Sequence, residues 1–175
     1  MRVYMQVILF SLLLGCAGKT KEKNLPANET LTGKASATEE NKKVIRHYLL
    51  DIINGRKLEL LSEVFPEKFV RHDLNDRTDT WMTVADQHKR LSDLLQAFPD
   101  LKFTIDDIIG DGDRVVVRTT WSGTQKNTFM KTESLGNSIN GLCEIVFYRL
   151  ENGKIVERWT QLDLFSLFKK MKGEK

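Results

Sequence analysis

The 175-residue chain is poor in the residues that staple or punctuate small folds, with two cysteines and three prolines. Cys16 and Cys143 allow at most one disulfide, so no disulfide framework can stand in for a hydrophobic core. The three histidines, His47, His72 and His88, share no spacing with Cys, Asp or Glu that matches a metal site. No glycine-rich loop of the phosphate-cradling kind is present, so neither metal nor cofactor is expected. The net charge is only +3, and the surplus lysines lie near the two ends, leaving the middle slightly acidic. A nucleic-acid face needs cations clustered on the fold itself, and that class is excluded. No apolar run approaches the roughly 20 residues that a membrane-spanning helix requires. What remains, 41% hydrophobic and 29% charged, is the composition of one globular domain with extensions.

The N-terminus carries the sharpest local signal. Residues 7–14 form a short apolar run that suits the core of an export signal. Leu13-Leu14-Gly15-Cys16 then resembles the lipobox of bacterial lipoproteins. The resemblance implies that the Cys16 thiol is linked to diacylglycerol, that cleavage falls before it, and that the new amino terminus is acylated. Several acyl chains on one residue anchor stably where one chain is marginal. Residues 16–35 are polar and lysine-bearing, the composition of a tether lying near an anionic membrane surface. The expected organisation is a signal at 1–15, a lipidated tether at 16–35 and a folded domain at 36–172. That places the protein outside the cytoplasm, anchored to the cell membrane or the outer membrane. With Cys16 lipidated, Cys143 is left unpaired, and its apolar strand context predicts a buried packing thiol.

Within the domain, helical periodicity comes first. Ser36-Ala37-Thr38-Glu39 reads as a capping box opening a helix whose inward face is Ile45, Leu49, Ile52 and Ile53, ending at Asn54-Gly55. A shorter helix carries Leu58, Leu61 and Phe65, and residues 67–74 read as a short strand containing His72-Asp73. A third helix is predicted from about Thr80, with Val84, His88, Leu91, Leu95 and Phe98 on one stripe. From Leu101 the period becomes two: Leu101, Phe103 and Ile105, then Val115, Val117, Thr119 and Trp121. Residues 123–137 are loop-like, residues 139–150 and 155–163 are strands joined at Asn152-Gly153, and 164–171 form a last amphipathic helix. Helices first and consecutive antiparallel strands afterwards predict an α+β fold with helices on one face of a curved sheet.

Several segments together carry a family resemblance. They are Ala97-Phe98-Pro99-Asp100, residues 112–118, Gly123-Thr124, residues 147–157, and Trp159 to Asp163, with His72-Asp73 where relatives often have a His-Asp pair. From about Glu39 to Met171 the chain resembles the SnoaL-like polyketide cyclases of the nuclear-transport-factor-2-like superfamily. The resemblance implies a cone: a curved, mostly antiparallel sheet wrapped by three helices around a largely apolar pocket. It does not fix a reaction, because one fold hosts many.

Alternation along the last strand puts Glu157, Trp159, Gln161 and Asp163 on one face, and the resemblance aims that face into the pocket. Asp163 in an apolar pocket would have a raised pKa and could move protons at a carbonyl compound, assisted by His72 or Asp73. The same Asp163 also suits the N-cap of the helix that follows. Trp159, Gln161, His88 and Trp121 are the expected pocket wall. Relatives often have histidine where this chain has Gln125, and His-Trp-Asp where it has Arg158-Trp159-Thr160. Those departures favour a tethered domain binding a small, largely apolar ligand. The alternatives are proton-transfer catalysis of the cyclase, isomerase or ester cyclase type at Asp163, and a homodimerising interaction module.

Overall fold

A computed structural model describes the backbone of residues 27–75 and 77–174, with side chains described from Gly33 onward. The export signal, Cys16 and most of the expected tether lie outside the described residues. Among the described residues no helix is long and apolar enough to cross a membrane.

The first helix, α1 (Ala27–Arg46), starts well before the expected capping box. Thr38 is not near its start. Inside the helix, the Thr38 hydroxyl donates to the Lys34 carbonyl (2.9 Å) and accepts from Gly112 N–H (2.9 Å). Asn41 Nδ2 donates to the Gly112 carbonyl (2.9 Å), and Lys34 pairs with Asp111 (2.8 Å). The second half of the supposed tether is therefore helix clasped to a β-turn.

Residues His47–Ile53 continue α1 as a π-helical stretch, and its widened turn lets Tyr48, Leu49, Ile52 and Ile53 all face inward. The helix stops at Asn54-Gly55, as its sequence predicts. A Cβ on Gly55 would sit 2.0 Å from the Asp51 carbonyl oxygen, so only glycine fits. Asn54 then bonds reciprocally with the Phe103 backbone at 2.9 Å each way, seating the helix end on the sheet.

A short α2 (Leu61–Val64) leads to β1 (Lys68–Asp73) and β2 (Thr78–Thr83), an antiparallel pair. The residues expected to open the third helix are thus an edge strand, buried only at Met82. The true capping box is Thr83 with Asp86, which starts α3 (Val84–Ala97). The buried residues of α3 are Gln87, Leu91, Leu94 and Ala97; of the expected stripe Leu91 and Phe98 are buried, Val84 and Leu95 pack partly buried against the core, and His88 is exposed.

Four strands follow as a meander: β3 (Lys102–Asp111), β4 (Arg114–Ser122), β5 (Leu142–Glu151) and β6 (Lys154–Leu162). The β5–β6 turn uses Asn152 and Gly153, both at positive φ, as a two-residue hairpin requires. The six strands form one mixed, curved sheet in the order β2-β1-β6-β5-β4-β3, antiparallel throughout except where β1 lies parallel to β6. Irregularities at Ile105/Asp107 and Arg149/Leu150 supply local bends. The chain closes with α4 (Leu164–Lys172). The result is the predicted α+β cone, its core uniting α1, its π-helical extension and α3 with the inner sheet face. Tyr48 meets Phe65 and Tyr148 edge-on, with ring centroids 5.2 and 6.4 Å apart.

Candidate functional site

Burial along β5 alternates cleanly: Leu142, Glu144, Val146, Tyr148 and Leu150 point in, while Cys143, Ile145 and Phe147 point out. Cys143 is therefore exposed, not the buried packing thiol its neighbours suggested. On β6 the register slips opposite Arg149/Leu150, so Ile155 and Arg158 are both buried and the even-numbered residues face inward from Arg158 on. That slip reverses the expected face. Arg158, Thr160 and Leu162 look into the cone, and Glu157, Trp159 and Gln161 look out.

The inward residues surround a cavity of about 600 Å³. The sheet contributes Arg71 and Asp73 from β1, Trp121 from β4, Glu144 from β5, and Thr160 and Leu162 from β6. Arg90, Leu94 and Ala97 come from α3, one turn apart on its inner stripe. Residues 127–131 form the rim. Gln125, wholly buried, holds that rim by donating from Nε2 to the Asn127 and Thr132 carbonyls (3.0 Å each). Lys126 N–H donates to the Ala97 carbonyl (2.7 Å), and the Phe98 and Phe129 rings meet edge-on, fixing the loop to the end of α3.

Charged groups, some of them buried, line or adjoin the cavity. Trp121 Nε1 donates to Glu144 Oε2 (3.1 Å). Burial pushes the Glu144 carboxyl above the usual carboxylate range, and the Arg158 and Arg90 charges offset this only in part. Arg158, almost fully buried, donates to Thr160 Oγ1 (3.0 Å) and approaches Tyr48 Oη (3.4 Å), which also accepts from Gln87 Nε2 (2.6 Å). Its guanidinium lies 5.8 Å from the Tyr148 ring centre. Arg71 donates to Asp73 Oδ2 (2.6 Å), and Asn75 N–H donates to Oδ1 (3.0 Å). Burial opposes ionisation of Asp73, but Asn75 and Arg71 outweigh it and hold the carboxyl below its ordinary value. Asp73 is therefore a firmly ionised partner of Arg71.

Of the residues expected at the site, Trp121 lines the cavity as anticipated, and Asp73 lines it too. His72 and Trp159 are elsewhere. They stack on the outer sheet face, centroids 4.5 Å apart and planes 6° apart. There His72 Nδ1 lies 2.6 Å from Asp79, and Nε2 lies 3.4 Å from Glu157. Gln161 and Asp163 border a second, more open groove with Cys143, Ile145 and Phe165. Asp163 is exposed and accepts from Ser166 N–H (2.9 Å) as the N-cap of α4. The hydrogen bonds from Ser166 pull its pKa down, opposite to the rise expected of a buried base. Sequence reasoning passed over Glu144, Arg158, Arg90 and Arg71. The signal was present: charged residues at inward positions of apolar strands and on a buried helix stripe. Among the described residues no group of three or more His, Cys, Asp or Glu side chains could hold a metal ion.

A family model described as SnoaL-like polyketide cyclase matches residues 43–171. Comparison with curated proteins yields no match. Among solved structures, the fold is similar to a protein of Jannaschia sp. CCS1 assigned to the SnoaL-like polyketide cyclases (TM-score 0.71, 15% identity, covering 79% of this chain and 96% of that one). It is also similar to a protein of Acidithiobacillus ferrooxidans assigned as a polyketide cyclase (TM-score 0.68, 22% identity, covering 78% and 96%). A SnoaL-like polyketide cyclase of Agrobacterium tumefaciens str. C58 matches with TM-score 0.60 and 22% identity, covering 74% and 95%. At these identities the likeness is one of fold.

Proposed function

Since the chain belongs to the SnoaL-like polyketide cyclase family, we propose that its domain holds a small, largely apolar molecule in the cavity, tethered to a membrane through lipidated Cys16. The observation that carries the binding reading is the cavity itself: about 600 Å³, with Leu94, Ala97, Phe129 and Leu162 in its wall beside charged and polar side chains. Such a space is the size of small-molecule sites, and a few convergent polar groups orient what enters. The tether reading rests on the order of apolar run, Gly15, Cys16 and polar segment.

Both parts are tested on protein purified from membranes of its own host. Native mass spectrometry is expected to show a co-purifying molecule that the cavity-filling Leu162→Trp variant loses. Cys16→Ser is expected to move the chain out of the membrane fraction. An empty wild-type domain, or a Cys16→Ser chain that still fractionates with membranes, would count against the corresponding half.

One observation favours a second reading, proton transfer on the bound molecule. Glu144 lines the cavity with its carboxyl held above the usual range, and Trp121 occupies only Oε2, leaving Oε1 without a protein partner among the described residues. Glu144 thus takes the acid/base place that Asp163 held in the sequence-based expectation. Under this reading Glu144→Gln abolishes turnover of the co-purified compound and leaves its binding intact.

A further inference from the structure

We propose that the cavity recognises a monoanionic head group, a carboxylate, on an otherwise apolar ligand, and that Arg90 is the residue that binds it. This rests on the cavity being the ligand site and adds the ligand's charge.

Of three arginines at or beside the cavity, Arg71 and Arg90 line it, and only Arg71 has a counter-ion within the protein. Arg71 is paired with Asp73, and Arg158 is spread over Thr160, Tyr48 and the face of Tyr148. Among the described residues Arg90 has only one hydrogen bond, from Nε to the neutral Gln87 amide at 3.3 Å, and no ion pair. Glu144 is the remaining carboxylate nearby, and it bonds to Trp121 and not to an arginine. Asp93, also at the cavity, is exposed and already paired with Lys89 at 2.8 Å.

Even with Glu144 ionised, Arg71, Arg90 and Arg158 against Asp73 and Glu144 sum to one uncompensated positive charge, apart from the exposed Lys131 on the rim. Two further guanidinium donors in the same region, Arg71 Nε and Arg158 Nε, are buried without acceptors. A guanidinium out of water and without a counter-ion is unfavourable, and a bound anion would relieve it. Burial and the neighbouring Arg158 charge lower the Arg90 pKa to about 10, which still leaves it cationic at neutral pH.

The chemistry of the missing partner follows. The planar fork of arginine matches the two oxygens of a carboxylate, and one surplus charge calls for one negative charge. Leu94 and Ala97 continue the same face of α3 beyond Arg90, giving an apolar wall for the body of the ligand.

The test uses the full chain carrying Cys16→Ser, titrated calorimetrically with hexanoate, decanoate, the corresponding alcohols and decyl phosphate. The carboxylates are expected to bind about tenfold more tightly than the alcohols. Decyl phosphate, more highly charged, should bind no better than decanoate. Arg90→Met should erase the preference for carboxylate while leaving alcohol affinity within about twofold of wild type. Arg90→Lys, which keeps the charge without the fork, should retain part of the preference and serves if the methionine variant does not fold. Equal binding of alcohol and carboxylate, or an unchanged preference in both variants, overturns the anion assignment and leaves the cavity as a ligand site. A clear preference for decyl phosphate overturns the carboxylate. If neither series binds, the ligand-site reading falls together with this one.

Discussion

Two sets of inward residues on the same sheet obey opposite rules. Val115, Val117, Tyr148, Leu150 and Ile155 join Ile45 and Ile52 in one core, and each is 2% exposed or less. Arg71, Asp73, Glu144, Arg158 and Thr160 are also inward, with Arg158 paired in register with Tyr148 and Thr160 with Val146, while Ile145, Phe147 and Trp159 are turned outward. One set is built for packing, where apolar burial contributes about 25 cal/mol per Å². The other withdraws charged groups from water, which costs stability unless something else requires it. Departures from hydrophobic alternation therefore locate the site better than any single motif does.

The largest effect should come from the packed set. Ile155→Ala removes a fully buried side chain and is expected to lower stability by about 2–5 kcal/mol, read by chemical denaturation, with carboxylate preference unchanged. A loss below about 1 kcal/mol would mean that the two sets are not distinct in kind.

Among the charged inward residues the sign should reverse. Burial raises the Glu144 pKa, so its contribution to stability is greatest below the ordinary carboxylate range and is lost as pH rises through the raised value. Glu144→Gln keeps an acceptor for Trp121 and removes the charge. It is expected to stabilise the fold by roughly 1 kcal/mol at neutral pH and to flatten that part of the melting-temperature profile. A destabilised glutamine variant would show that the carboxylate is a structural counter-ion for the arginines.

The smallest effect is expected at Asp163. Asparagine caps helices about as well as aspartate, so Asp163→Asn should change stability by only a few tenths of a kcal/mol and leave ligand binding and any turnover untouched. Loss of turnover would return Asp163 to the chemistry.

The contrast also explains what could be read from the residues alone. The architecture was legible because period and punctuation agree: apolar residues two apart in β3 and β4, Asn54-Gly55 and Asn152-Gly153 as stops, and a closing amphipathic helix. The site was misread for a local reason. Ile155 is inward, and simple alternation carries that face to Glu157 and Trp159, but the slip beside Val156 transfers it to Arg158 and Thr160. An irregular register leaves no trace in hydrophobicity. A second cause is chemical: Cys143, Ile145, Phe147 and Trp159 look like core, yet they cover the outer face, so apolarity misdirects where function demands polar groups within. Likewise, Ser36-Ala37-Thr38-Glu39 fits a helix start as well as Thr83 with Asp86 does, and only the contacts with the β3–β4 turn distinguish them.

The parallel pairing of β1 with β6 has a kinetic meaning. Arg71 lies beside Arg158 although about half the chain separates them. Closing so long a loop is slow relative to forming the hairpins between, so this pairing is expected among the last steps of folding. Arg71 and Asp73 meet Thr160 only through it. A chain still emerging from the ribosome, or cut before Lys154, therefore has helices and a β3–β4 hairpin to form but no complete cavity, and the cavity closes with the final strand.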